Sequence, residues 1–164
     1  METIETQCGH QITIRPDADA MDPRDWSEQL IAVRKSNRYL RGDIDIDGYE
    51  NYEDFVQERE RLGDSVFPLY MYVHSGVALS TSPFGCQWDS GLAGAVVVPN
   101  DLKQHFCNDE EIQNSVESFL RIMTAWMNGD CYWYETSKNG MLVDSCSGYY
   151  SFDEAEQAAK ENIA

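Results

Sequence analysis

The chain has 164 residues, 42% of them hydrophobic, with 29 acidic against 12 basic side chains and a net charge of −17. Length and apolar content suit one domain, residues 1–164, with a real core, and exclude wholesale disorder. The charge excludes direct binding to nucleic acid or to an anionic membrane and predicts attraction to basic surfaces.

The first predicted element is a hairpin, Thr3–Thr6 with Gln11–Arg15, turning at Cys8-Gly9-His10. Cys8 and His10 are two metal-ligand types side by side, but without a second pair nearby a turn is the better reading. Asp22-Pro23 predicts a helix start. Trp26, Leu30, Ile31 and Val33 then suggest a helical apolar face, giving a helix near 23–35. Arg34, Lys35, Arg38 and Arg41 form the one basic cluster, read as neutralising the acidic block beside it rather than as a ligand site.

Residues 43–64 hold nine acidic and two basic side chains. Asp43, Asp45, Asp47, Gly48 and Asp54 follow the order of a calcium loop, in which alternating carboxylates converge on a hard cation. Two departures weaken that reading. Glu50 stands where such loops carry an apolar residue, and Asp54 where a longer Glu reaches the ion bidentately. The competing reading is an acidic turn leading into a helix near 50–62, with Tyr52, Phe55, Val56 and Leu62 facing inward.

Residues 65–100 hold a single charge, Asp89, and so mark the core, because charged side chains are almost never fully buried unless paired. Three apolar runs there, 68–73, 77–81 and 92–98, are each closed by Gly, Pro or Ser and predict adjacent strands. Beyond them, Asn108 and Glu111 suggest a capping box. Ile112, Val116, Phe119, Leu120, Met123 and Met127 give an amphipathic helix near 109–127, ended by Asn128-Gly129. That stripe is read as core, although a helix of this length with Met and Trp126 can also mediate a homodimer. A second hairpin, 131–136 with 141–145, turns through Lys138-Asn139-Gly140. An Ala/Glu-rich helix near 152–163 closes the chain. Strands and helices segregate, so the predicted class is α+β: a mainly antiparallel sheet of about five to seven strands packed by these four helices.

Cys8, Cys86, Cys107, Cys131 and Cys146 are odd in number and widely spaced, as expected of reduced thiols. The start of the chain lacks the basic residues and apolar run of a signal peptide, and no run reaches the ~18 apolar residues of a membrane helix. The expected location is cytoplasmic. His74 with Cys86 or Cys146 and a carboxylate supply the ingredients of a nucleophilic enzyme. No recognised nucleophile setting surrounds them, however, and Asp89-Ser90 and Asp144-Ser145 also suit turns held by their own side chains. The reading is therefore no enzyme, no cofactor and no resident metal.

One string is specific: His74-Ser75-Gly76, Ser80, Ser82-Pro83-Phe84, Cys86, then Trp88-Asp89-Ser90-Gly91. With Val143-Asp144-Ser145-Cys146-Ser147-Gly148-Tyr149, and more loosely Arg38, Tyr39, Gly42 and Asp43, it resembles a family of small acidic proteins found in tailed phages, plasmids and bacterial chromosomes. Ser36 stands where that family has His, and the family lacks the Asp43–Asp54 loop pattern. The resemblance implies an accessory protein of mobile elements in a bacterial cytoplasm, with no catalytic residues and with His74, Ser75, Cys86, Trp88, Asp89, Ser90, Asp144 and Cys146 of unassigned role. Such a protein with this charge is expected to block a host defence complex, as anti-restriction and anti-CRISPR proteins do, by mimicking DNA. The expected contact residues are Asp43, Asp45, Asp47, Glu50, Glu53, Asp54, Glu58, Glu60, Asp153, Glu154 and Glu156, and the expected partner is a basic, nucleic-acid-handling host surface.

Overall fold

Residues 2–5, 9–86 and 88–163 are described in a computed structural model. Among these residues, four helices and nine strands in two mostly antiparallel sheets make this an α+β protein. The strands thus form two sheets where one was expected, and the chain clusters into two compact units: residues 1–22 with 125–164, and residues 23–124. They are called here the terminal and the central unit.

The terminal unit holds the sheet β1 (Glu2–Glu5), β2 (His10–Pro16), β8 (Tyr132–Lys138) and β9 (Met141–Tyr149), in that spatial order. The β8–β9 turn is the one predicted: Asn139 and Gly140 both take positive φ, 53° and 77°, as a two-residue hairpin with the native strand twist requires. The first hairpin also forms, although its corner at Cys8 lies outside the described residues. Ile12, Ile14 and Tyr134 alternate onto one face, where Ala155 and Ala159 of α4 (Phe152–Glu161) cover them. Ser151 caps α4 by accepting from the Glu154 amide at 3.1 Å.

The central unit is built on the sheet β4 (Ile44–Asp45), β3 (Leu30–Val33), β7 (Ser90–Val98), β5 (Ser65–Val73) and β6 (Val77–Ser80), in that order. The three core strands are those predicted, each within three residues at its ends. The helix expected near 23–35 is a correction: Pro23–Asp25 form one 3-10 turn, and Leu30–Val33 are strand β3. Four consecutive apolar residues suit a strand buried on both faces, and Ile31, Ala32 and Val33 are buried here. On one face Ala32, Ala95 and Val97 pack against Phe55 of α1 (Tyr52–Arg61). On the opposite face lie Ile31, Val96 and Val98. Ile112, Val116, Phe119, Leu120 and Met123 of α3 (Asp109–Asn128) are also buried. The helix is tied to the strands by Gln29 donating to Ser115 at 2.6 Å and the Leu79 amide donating to Thr124 at 3.1 Å.

The α3 cap matches its prediction in part. The Asn108 side chain accepts from the Glu111 amide, while the Glu111 carboxylate reaches back to the Cys107 amide, both at 2.9 Å. A short helix not anticipated from the sequence, α2 (Asn100–Lys103), is held to the end of α1 by Asp64, which accepts from the Asn100 amide and pairs with Arg59. Glycine is required at Gly94, where a Cβ would sit 2.0 Å from the Ala32 carbonyl oxygen.

Candidate functional site

The acidic residues named from the sequence fall into three settings. Asp43, Asp45 and Asp47 are used within the fold. The Asp43 carboxylate accepts from the Ile31 amide at 2.8 Å, Asp45 pairs with Lys35 at 2.7 Å and accepts from the Asp47 amide, and Asp47 accepts from the Lys35 amide and faces Arg34 at 3.8 Å. Hydrogen bonding to Lys35 and the Asp47 amide holds the Asp45 carboxyl below its ordinary pKa, and the same pair raises that of Lys35. These carboxylates latch the 34–47 segment, as the neutralising role read for the basic cluster requires. Asp54 sits in the first turn of α1, and no group of three His, Cys, Asp or Glu among the described residues is arranged to hold a metal ion.

The second setting is α1. Asn51 caps it, accepting from the Asp54 amide at 2.9 Å, and Phe55 anchors it, so register is fixed by one buried face. At 100° per residue Glu53 and Glu60 fall nearly opposite Phe55, while Asp54 and Glu58 lie about 100° and about 60° from it on one flank; all four are exposed, as is Glu50 just before the helix. Arg61 lies on the same flank and offsets one charge. The third setting is α4 in the terminal unit, where Asp153 and Glu154 are exposed and Glu156 pairs with Lys160 at 2.6 Å. Asp101, Asp109, Glu110 and Glu117 of the central unit are also exposed and were not among the expected contacts. The signal for three of them was present: acids in the first turn and on the outer face of an amphipathic helix.

The first motif gathers at one corner of the central unit. Asp89 Oδ2 lies 3.4 Å from His74 Nδ1 and 3.6 Å from Cys86 Sγ, and Ser90 Oγ donates to the Cys86 carbonyl. The Val73 amide donates to the Asp89 carbonyl at 2.8 Å, closing the corner. The carboxylate stands between thiol and imidazole, an order that orients both but does not set His74 as the base of Cys86. Ser75 is exposed in the β5–β6 turn, and Trp88 is 96% exposed.

The second motif lies in the terminal unit. Tyr134 is buried and donates its hydroxyl hydrogen to Asp144 Oδ2 at 2.7 Å, while Asn162 Nδ2 donates to the same hydroxyl oxygen at 2.7 Å. Burial, then the Asp144 bond, raises the Tyr134 phenol, and burial, then Cys146, raises that of Tyr149. Asp144 therefore helps hold a buried tyrosine, while the exposed Cys146 thiol lies 3.6 Å from the Ser147 carbonyl oxygen. Trp126 is half-buried, its indole donating to the Ala20 carbonyl at 3.1 Å.

Comparison with the models of known families, with curated proteins and with solved structures finds no match for the chain. Among the described residues no helix is long and apolar enough to cross a membrane.

Proposed function

We propose that this protein is an anti-defence inhibitor, of anti-restriction or anti-CRISPR type, carried by a phage or related mobile element. It acts in the host cytoplasm by occupying the basic surface with which a host complex holds nucleic acid. The observation that carries this reading is the exposed acidic surface of α1. Its four carboxylates span seven residue steps, about 10 Å of helix axis. That is one charge per roughly 3.5 Å, close to the ~3.4 Å axial spacing along one strand of duplex DNA. The latch on Asp43, Asp45 and Asp47 moves the proposed contact from the whole 43–60 block to Glu50–Glu60, with the exposed acids of α3 and α4 as further anionic surface. Binding of this kind gains from charge complementarity and from release of counterions.

The test is charge reversal on an anchored helix. E53K/D54K/E60K leaves Phe55 and the Asn51 cap in place, so the melting temperature should fall by no more than a few degrees, about 1 kcal/mol. Protection of an infecting phage or plasmid from host restriction or CRISPR immunity should be lost. Undiminished protection by the charge-reversed protein would reject α1 as the contact surface.

A further inference from the structure

Trp88 is the most exposed large apolar side chain among the described residues, at 96%, and it lies in the 65–100 segment, whose single charge is its neighbour Asp89. It does not stand alone. Tyr39 and Leu92 are half exposed, and with Trp88, Met71 and Val73 they line one cleft of about 470 Å3 on the central unit. Arg38 lies over the Tyr39 ring at 5.4 Å and helps to hold that aromatic in place. The indole of Trp88 forms a wall of the cleft and is itself uncovered, so a projecting ring and a recess able to take one lie side by side. Aromatic rings seated in such recesses are frequent anchors of protein–protein contacts.

Two charged side chains reach the cleft, Arg34 and Asp89. Asp89 Oδ2 stands 3.4 Å from His74 and 3.6 Å from Cys86, with the side chain still partly exposed. Arg34 is half exposed and faces Asp47 at 3.8 Å, a single long contact for a guanidinium with five N–H donors. The cleft thus holds one charge of each sign, which matches neither a polyanion nor a basic chain. It does match itself. About a two-fold axis, Trp88 of each copy enters the cleft of the other, and Arg34 of one faces Asp89 of the other. Two copies of a chain of net charge −17 repel one another, and a patch of balanced charge is where they can meet. The other surface expected to self-associate, the α3 stripe, is buried from Ile112 to Met123. Aromatic side chains bury ~150–250 Å2 each, so Trp88 with the open halves of Tyr39 and Leu92, counted in both copies, removes on the order of 1,000 Å2 from water, the lower bound of a specific interface.

We propose that the protein forms a two-fold dimer through this cleft, with each Trp88 seated against Met71, Val73 and Tyr39 of the other copy. The interface uses none of the α1 carboxylates and does not depend on the proposed host contact.

Sedimentation equilibrium of the full chain, from low micromolar to several hundred micromolar, is the test. A reducing buffer keeps the exposed Cys107 and Cys146 from linking copies covalently. The expected result is a monomer–dimer equilibrium. Trp88→Ala should raise its dissociation constant about tenfold or more without lowering the melting temperature, because the ring is uncovered in the monomer. Arg34→Gln should raise it a few fold. E53K/D54K/E60K, which leaves the cleft intact and is less strongly repelled, should dimerise at least as tightly as the parent. Leu142→Ser, at the exposed start of β9 in the terminal unit, should leave the dimer unchanged. The proposal is overturned if the chain stays monomeric throughout, if Trp88→Ala dimerises as tightly, or if the assembly grows beyond a dimer. Loss of the dimer in E53K/D54K/E60K or in Leu142→Ser would place the interface elsewhere and overturn it equally.

Discussion

Tyr134 is the largest side chain buried without exposure, and its hydroxyl is bonded on both sides, to Asp144 and Asn162. Tyr134→Phe keeps the ring but leaves both partners without it, and should cost about 1–2 kcal/mol, read from chemical denaturation. An unchanged midpoint would show that these bonds add nothing. Tyr52 gives a prediction in pH. Burial, then Tyr70 and Glu53, pushes its phenol from 10.0 up to about 12. A raised folded-state pKa means that the contribution is complete below pH 10 and is lost as pH climbs from 10 toward 12. Tyr52→Phe cannot ionise, so its melting temperature should fall less over that interval than the parent's; parallel curves would contradict the assignment. At this scale the sequence was only partly informative. His74, Cys86 and Asp89 were recognisable as residues with chemistry. Their order, with the carboxylate in the middle, depends on how the β5–β6 turn and the corner before β7 meet, and spacing alone does not carry that.

Among the elements, α1 rests on one cap and one anchor. Asn51→Ala removes the side chain that accepts from the Asp54 amide and should cost about 1 kcal/mol, measured by thermal melting. Gly94→Ala is more severe. Its methyl would meet the Ala32 carbonyl oxygen at 2.0 Å, well inside contact, so β3 cannot stay paired with β7. Loss of exchange protection across Leu30–Val33 and Gly94–Val97 is the expected result, and a native exchange pattern would overturn it. The elements themselves were largely legible where a pattern persisted. The 3.6-residue stripe of α3, the Asn-Gly turn and the uncharged strands all lie where they were expected. The segment 23–35 failed for a physical reason. Trp26 and Leu30 are spaced as on a helix, but Leu30-Ile31-Ala32-Val33 is a continuous apolar run rich in β-branched residues, which a doubly covered strand also needs. Short elements such as β4 and α2 carry no period to detect.

For the whole molecule the decisive property is charge, and it is divided almost evenly. The central unit carries 17 acidic and 9 basic residues, and the terminal unit 12 and 3. The amount of charge is plain from composition, whereas its availability is not. Asp64 is as acidic in sequence as Glu53 and Glu60, but it is buried and paired with Arg59, and Asp45, although exposed, is paired with Lys35, whereas Glu53 and Glu60 stand in solvent on an anchored helix. Long-range attraction of exposed carboxylates is screened by salt, with a Debye length of about 8 Å at physiological ionic strength. Binding through them should therefore weaken steeply as salt rises.

The most direct measurement is an affinity capture from nuclease-treated bacterial lysate, eluted by a salt gradient, read by mass spectrometry and run beside E53K/D54K/E60K. The account predicts that one nucleic-acid-handling complex is retained by the parent protein, released as salt rises and absent from the charge-reversed protein. Retention of no such complex across several hosts, or equal retention by both proteins, would contradict it.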